Sequence, residues 1–294
     1  MAENGVSGNC EPVETLTVDG IRLHGLRLMP TDSGPMSGLV VLTWHGVGGN
    51  FYSTHLFRDA TTRLRQLGAD VVWTNNRGHD GWSIGPTGPR KGCGAAFECV
   101  ADCRLDAAAW ESWAERHLGA RPIVHWGHSL GAVKSIFAVA SEGRAAVRGV
   151  IASSPPLLSF ERLRQGAQSS AFLAAIELAT RTAEEDPERL IKVTHPFPLW
   201  IAAGAYLDKY GPGERYDVLR LIDQITSPLL FTYGELELRQ PTDAFAEVVS
   251  RLVPRCDDQQ RRFREVPRAN HFYAQGANRL ADEVIEFLEA MVID

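Results

Sequence analysis

Gly127-His128-Ser129-Leu130-Gly131 is the segment whose residue types and spacing most directly promise chemistry. It follows a short apolar run, Pro122–Trp126, and opens a stretch of helical character, Ser129–Ser141. A serine at a strand-to-helix turn, with glycine two residues away on either side, is a nucleophile elbow. The turn strains the serine backbone, and side chains at 127 and 131 would collide with neighbouring backbone. The strain leaves the hydroxyl exposed above the sheet edge, and the helix N-terminus beneath it favours developing negative charge. A bare glycine-rich turn could carry the same five letters. The strand before and the helix after favour the chemical reading.

A serine attacks a carbonyl only if a base takes its proton, and the base needs an orienting acid. With an elbow of this kind the order along the chain is serine, acid, histidine. Of nine histidines, His195 and His271 follow Ser129. His195 lies in Thr194-His195-Pro196, within an irregular stretch, whereas His271 lies just after the last expected strand, at a loop tip over the sheet. His271 is therefore the expected base. The carboxylates after the next-to-last strand, Pro228–Tyr233, are Glu235, Glu237 and Asp243. After Val147–Ala152, where an acid could also stand, the chain reads Ser153-Ser154-Pro155-Pro156 and offers none.

Acyl transfer further needs two backbone N–H groups aimed at the tetrahedral oxygen. One is expected from Leu130, the residue after the nucleophile. The other is expected from Val47 in His45-Gly46-Val47-Gly48-Gly49-Asn50, because the glycines let backbone approach a substrate. A phosphate loop would need a Lys-Ser/Thr ending that is missing. His45 reads as structural. Arg77 and His79, in Asn76-Arg77-Gly78-His79-Asp80-Gly81-Trp82-Ser83, read as braces for the loops around the site rather than as substrate contacts.

The elements that must position these groups alternate. Thr15–Val18 and Ile21–Leu28 read as a hairpin across Asp19-Gly20. Leu39–Trp44, Ala69–Thr74, Pro122–Trp126, Val147–Ala152, Pro228–Tyr233 and Arg261–Val266 read as strands. Thr54–Leu67, Phe97–Leu118, Ser129–Ser141, Thr242–Leu252 and Asn278–Met291 read as helices. Such alternation implies an α/β fold, a doubly wound and mostly parallel sheet of about eight strands. Residues 1–294 are expected to form one domain. Residues 157–225, mostly helical with no clear strand, interrupt the order as a cap insertion. Its apolar side chains (Leu157, Leu158, Phe160, Phe172, Leu173, Ile176, Phe197, Leu199 and Trp200) should mostly pack the cap down, with a minority walling the pocket.

Bulk properties narrow the partners. A net charge of −6 and a pI near 5.9 argue against nucleic acid or an anionic membrane. The stretch Met1–Glu14 is polar and does not read as a signal peptide, and no run nears the roughly 18 apolar residues of a membrane span. The five cysteines, at 10, 93, 99, 103 and 256, form no CxxC pair. Reduced thiols in a cytoplasmic protein are expected, with no metal and no cofactor.

At the His45-Gly46 loop, Arg77-Gly78-His79-x-Gly81-x-Ser83, Gly127-x-Ser129-x-Gly131 and Asn270-His271-Phe272, taken in that order, the chain resembles the α/β-hydrolase superfamily over roughly residues 15–291. Many members carry an aspartate three residues after the glycine that ends the next-to-last strand. The resemblance thus implies Glu237 as the acid, with Glu235 its rival. A serine nucleophile removes the dehalogenases, which use aspartate. Asn75-Asn76-Arg77-Gly78-His79-Asp80 also looks like a subgroup that includes siderophore esterases. The implied activity is hydrolysis of an ester or thioester of a medium-sized, partly hydrophobic small molecule through an acyl-enzyme. The alternatives are acyl transfer from a carrier thioester, with an acyl-carrier protein as partner, and a non-enzymatic binding protein of this fold.

Overall fold

The structure, a computed structural model, describes residues 9–83, 92–257 and 259–293. The polar stretch Met1–Glu14 lies outside them as far as residue 8. Strands β1 (Cys10–Leu16) and β2 (Arg22–Leu28) form the leading hairpin. Then come β3 (Val40–Trp44), α1 (Arg58–Gln66), β4 (Asp70–Thr74), α2 (Cys103–Leu118), β5 (Ile123–His128), α3 (Leu130–Glu142) and β6 (Val147–Ser153). The segment after β6 holds α4 (Phe160–Leu163), α5 (Ser169–Glu185), β7 (Leu190–Val193), β8 (Leu199–Ala202), α6 (Ala203–Tyr210) and α7 (Val218–Leu221). Next are β9 (Leu229–Gly234), α8 (Glu235–Arg239), α9 (Val248–Arg251), β10 (Arg261–Val266) and α10 (Ala277–Ile293).

Eight strands form one sheet in the order β1-β2-β4-β3-β5-β6-β9-β10. Every pairing from β4 to β10 is parallel, and β2 runs antiparallel to both its neighbours. This is the doubly wound, mostly parallel architecture that the alternation of elements predicts. Successive strand residues point to opposite faces. Val41, Val71, Val124, Ile151 and Leu230 pack with Leu64 of α1 and Leu280, Val284 and Leu288 of α10. Val40, Leu42 and Val72 pack with Trp110 and Trp113 of α2 on the other face. Val150, Ala152, Leu229 and Phe231 pack there with Val133 and Ile136 of α3. Nearly continuous apolar strands are what a parallel sheet covered on both faces requires.

Several local expectations need correction. The first strand begins at Cys10 rather than Thr15, because pairing runs to Cys10 opposite Leu28. Its turn is longer than two residues: Thr17 N–H donates to the Ile21 carbonyl at 2.9 Å, and Ile21 N–H donates back to Thr17 Oγ1 at 2.8 Å. The second helix begins at Cys103, after a 3₁₀ turn, Val100–Asp102, and the first begins only at Arg58. The insertion contains strands after all. β7 and β8 pair antiparallel, with Ile191 opposite Ile201, in runs of four residues that are too short to stand out by periodicity. The helix expected at Thr242–Leu252 shrinks to α9 and a 3₁₀ turn, Val253–Arg255. Glu247 at φ +65° breaks it, and Asp243 turns its carboxylate to the Ala167 and Gln168 N–H groups instead (3.1 and 2.9 Å). Among the described residues, no helix is long and apolar enough to cross a membrane.

Candidate active site

Ser129 sits between β5 and α3 at φ +55° and ψ −124°, a conformation that side-chain-bearing residues rarely adopt. The crowding that fixes this turn is explicit. A Cβ on Gly131 would lie 2.1 Å from the Trp44 carbonyl oxygen, and one on Gly46 would lie 3.1 Å from the Ser129 Cβ. Glycine at both places lets β3, its following loop and the elbow close together. Ser129 N–H is held by the Ser153 carbonyl at the end of β6, at 2.8 Å.

His271 and Glu237 meet. His271 Nδ1 lies 2.5 Å from Glu237 Oε1, and Glu237 is buried on the short helix α8 directly after β9. The other two carboxylates are engaged elsewhere. Glu235 accepts from Arg268 N–H at 2.7 Å and pairs with Arg239, and Asp243 holds the backbone ahead of α5. The remaining bonds of Glu237 escape sequence reasoning. Ser154, at φ +49°, donates its hydroxyl to Glu237 Oε2 at 2.6 Å, and Tyr273 OH lies 3.0 Å from Ser154 Oγ. Ser154 stands where the sequence offers no second acid. Nothing in its spacing marks it.

His128 is a second residue without a sequence signal. Its Nε2 donates to the His271 carbonyl at 2.7 Å, which ties the turn at Ser129 to the loop that carries His271. Burial pushes its pKa down to about 3, helped by the neighbouring His271, so the ring is neutral and its Nε2–H is available. The His271 loop is shaped by Asn270, whose Oδ1 accepts from Phe272 N–H at 3.0 Å.

His45 and Arg77 brace. Burial likewise lowers the His45 pKa to about 3. Its Nδ1 lies 2.9 Å from the Gly46 carbonyl, and its Nε2 accepts from Asn76 N–H at 3.2 Å. Arg77 is buried against Asp106 and Asp19. His79 Nδ1 lies 2.8 Å from Asp80, whose carboxylate also receives Asn50 Nδ2 at 2.7 Å. Lys134 of α3 is buried. It donates to Asn76 Oδ1 at 2.9 Å and pairs with buried Glu98. Burial opposes the Glu98 charge, but Lys134 and Lys209 outweigh it and hold the carboxyl below its usual range. One buried cation thus joins α3 to the segment between β4 and α2.

Ser129, His271, Glu237, Val47 and Leu130 all line a single cavity of about 910 Å³. That falls within the usual span of small-molecule sites, roughly 300–1,000 Å³. The insertion contributes Leu158, Leu163, Pro196, Phe197 and Tyr210 to its walls. Other apolar residues of the insertion do not reach it: Phe172 packs against Phe160 and His195, and Trp200 and Leu173 face solvent.

The sequence model of the family described as "Serine aminopeptidase, S33" matches residues 36–188, just over half of the chain, with Ser129 inside the match. The chain belongs to this family, within the α/β-hydrolase superfamily. Solved structures similar to this hydrolase include an esterase from Pyrococcus furiosus, at 19% identity over 99% of this chain and 96% of that one, with a TM-score of 0.63. The α/β hydrolase GrgF from a Penicillium species aligns at 14% identity over 98% of this chain and 100% of that one, with a TM-score of 0.71. Est1E from Butyrivibrio proteoclasticus, solved with ferulic acid bound, aligns at 16% identity over 96% and 100%, with a TM-score of 0.65. At these identities the likeness is one of fold. No curated protein matches the hydrolase.

Proposed function

We propose that the protein hydrolyses an ester or thioester of a medium-sized, partly hydrophobic small molecule, with Ser129, His271 and Glu237 as its catalytic triad. The observation that carries this reading is the 2.5 Å contact between His271 Nδ1 and Glu237 Oε1 on the wall of the cavity that Ser129 also lines. An ionised Glu237 keeps a proton on Nδ1 and leaves Nε2 free to accept the Ser129 proton. Ser129 Oγ then attacks the substrate carbonyl. The oxyanion is received by the N–H groups of Leu130 and Val47. Leu130 is the first residue of α3, so its N–H has no carbonyl a turn earlier to receive it. His271 returns the proton to the leaving oxygen or sulfur, and water, deprotonated by the same ring, releases the acyl group.

The cavity walls favour esters over peptides with a free amino end. Recognition of an α-ammonium group calls for a carboxylate facing the substrate. Glu237 is the one carboxylate among the described lining residues, and His271 and Ser154 occupy it. No lysine or arginine is among those lining residues either, so a neutral substrate fits best. Phe197, Phe245, Phe272 and Tyr210 supply flat apolar wall. Together with the ferulic acid held by the Butyrivibrio protein, they make arylacyl esters the first compounds to assay. The odd number of cysteines without CxxC spacing supports work in the cytoplasm. The test is turnover of nitrophenyl and feruloyl esters by the native enzyme and by Ser129→Ala, with product analysis in the presence of an added alcohol. Loss of turnover in the variant, and free acid as the product, are expected. Full turnover by the variant refutes the assignment, and an ester of the added alcohol as the main product replaces hydrolysis with acyl transfer.

A further inference from the structure

Gly49 N–H donates to the Gly46 carbonyl at 3.1 Å, which closes a tight turn from Gly46 to Gly49. Gly48 takes φ +62°, a left-handed value that glycine adopts without strain. The turn abuts Ser129: a Cβ on Gly46 would lie 3.6 Å from Ser129 Oγ. Closing it uses the N–H of neither middle residue, and none of the described groups receives that of Val47. Gly46, Gly48 and Gly49 give the turn no shape of its own, so neighbours must fix it.

Asp80, in the loop after β4, is that neighbour. Its N–H donates to the Gly49 carbonyl at 3.0 Å, and its backbone lies against Gly48, where a Cβ would meet the Asp80 carbonyl oxygen at 3.8 Å. On its carboxylate, Oδ1 accepts from Asn50 Nδ2 at 2.7 Å, and Oδ2 accepts from Tyr52 OH at 2.5 Å and from His79 Nδ1 at 2.8 Å. Burial opposes the charge, but the bonds from Tyr52, His79 and Asn50 outweigh it and hold the carboxyl below its usual range. Asn50 passes the hold onward. Its Oδ1 accepts from Ser53 N–H at 2.7 Å and from Ser53 Oγ at 2.6 Å, and Ser53 lines the cavity. Asp80 is itself fixed at φ +58°, with Ala95 N–H donating to its carbonyl at 2.9 Å.

Resting on the assignment of Val47 as an oxyanion donor, we infer that Asp80 is a positioning residue, which holds the glycine turn so that the Val47 N–H meets the charge developing on the substrate oxygen. Asp80 is not among the residues that line the cavity, so it acts through the turn. A donor of this kind is aimed at the oxygen of the tetrahedral state rather than at the ground-state carbonyl. A turn that slips therefore weakens the transition state and leaves substrate binding nearly as it was.

The experiment compares Asp80→Gly and Asp80→Asn with the native protein, since glycine and asparagine both tolerate φ +58°. Glycine removes every carboxylate bond. Asparagine keeps the one to Asn50, because its NH₂ can face Tyr52 OH and His79 Nδ1, each of which can accept. Turnover of a nitrophenyl ester is read beside inhibition by a trifluoromethyl ketone, whose hemiketal with Ser129 carries an oxyanion, and by an alcohol of the same chain, which has no carbonyl. Asp80→Gly is expected to lower kcat and to weaken the ketone by a common factor of about 10- to 100-fold, with KM and the alcohol little changed. Asp80→Asn is expected to stay within about threefold of native in all four. Native kcat in Asp80→Gly, a loss shared by the alcohol, or an equal loss in Asp80→Asn overturns the inference. Ser129→Ala, assayed alongside, separates the two levels. An active Ser129→Ala defeats the serine mechanism and this inference with it, whereas an inactive Ser129→Ala beside a native-like Asp80→Gly defeats the role of Asp80 alone.

Discussion

His128 Nε2 donates to the backbone carbonyl of His271 at 2.7 Å, so the residue before Ser129 holds the loop that carries His271. Replacing His128 with phenylalanine keeps the ring volume and removes the donor. The expected result is a fall in kcat of about tenfold, with KM little changed, and a stability loss of about 1–3 kcal/mol from the unpaired carbonyl. Steady-state kinetics beside a urea melt would check both. An unchanged kcat would mean that the loop holds itself.

Acid should unfold the protein through its buried imidazoles. The His45 and His128 pKa values both lie near 3 in the folded state, against about 6.5 unfolded. In the depressed direction, their contribution is complete above pH 6.5 and is lost as pH falls toward 3. Each should lower stability by about 1.4 kcal/mol per pH unit within that window. Urea melts at stepped pH should show this fall, and His128→Phe should flatten the slope by about 1.4 kcal/mol per pH unit within the window. A variant with the native slope contradicts the buried, neutral state of His128.

The Lys134–Glu98 pair is buried on both sides. Lys134→Met removes the direct partner of Glu98, leaves Lys209 as the remaining nearby cation, and should cost about 3 kcal/mol. Adding Glu98→Gln should return much of that loss, because the stranded charge is gone. Thermal melts of the three variants distinguish this from simple loss of packing, for which the second change would bring no recovery.

The walls from the insertion should set acyl preference. Phe197 lines the cavity while 45% exposed, so its truncation disturbs little of the core. Phe197→Ala is expected to shift the ratio of kcat/KM between bulky and short acyl esters by about 10-fold or more, with Tm within a few degrees of the native protein. An unchanged ratio would place the acyl group away from this wall.

Much of this arrangement is legible in the sequence, for a physical reason. The elbow, the glycine loop after β3 and the histidine after β10 are short local patterns bound to sheet topology, so adjacency in the sheet converts chain order into a site. Apolar strands buried on both faces announce themselves in the same way. What could not be read is set by long-range contacts. Ser154 and Tyr273 touch across 119 positions, and Ser154 reaches Glu237 across 83. No local spacing encodes either meeting. Choosing Glu237 over Glu235 depended on resemblance, because the turn of helix that separates their directions is only five residues long. The β7–β8 hairpin was hidden for a related cause. Its strands are four residues each, and its register comes from partners rather than from period.

The identity of the nucleophile is tested most directly by reacting the native protein with a fluorophosphonate and mapping the modified peptide by mass spectrometry. An activated serine with its proton acceptor in place should be labelled stoichiometrically at Ser129, and His271→Ala should slow that labelling by a factor on the order of 10³ or more. No labelling at Ser129, or labelling at the native rate in His271→Ala, would contradict the triad.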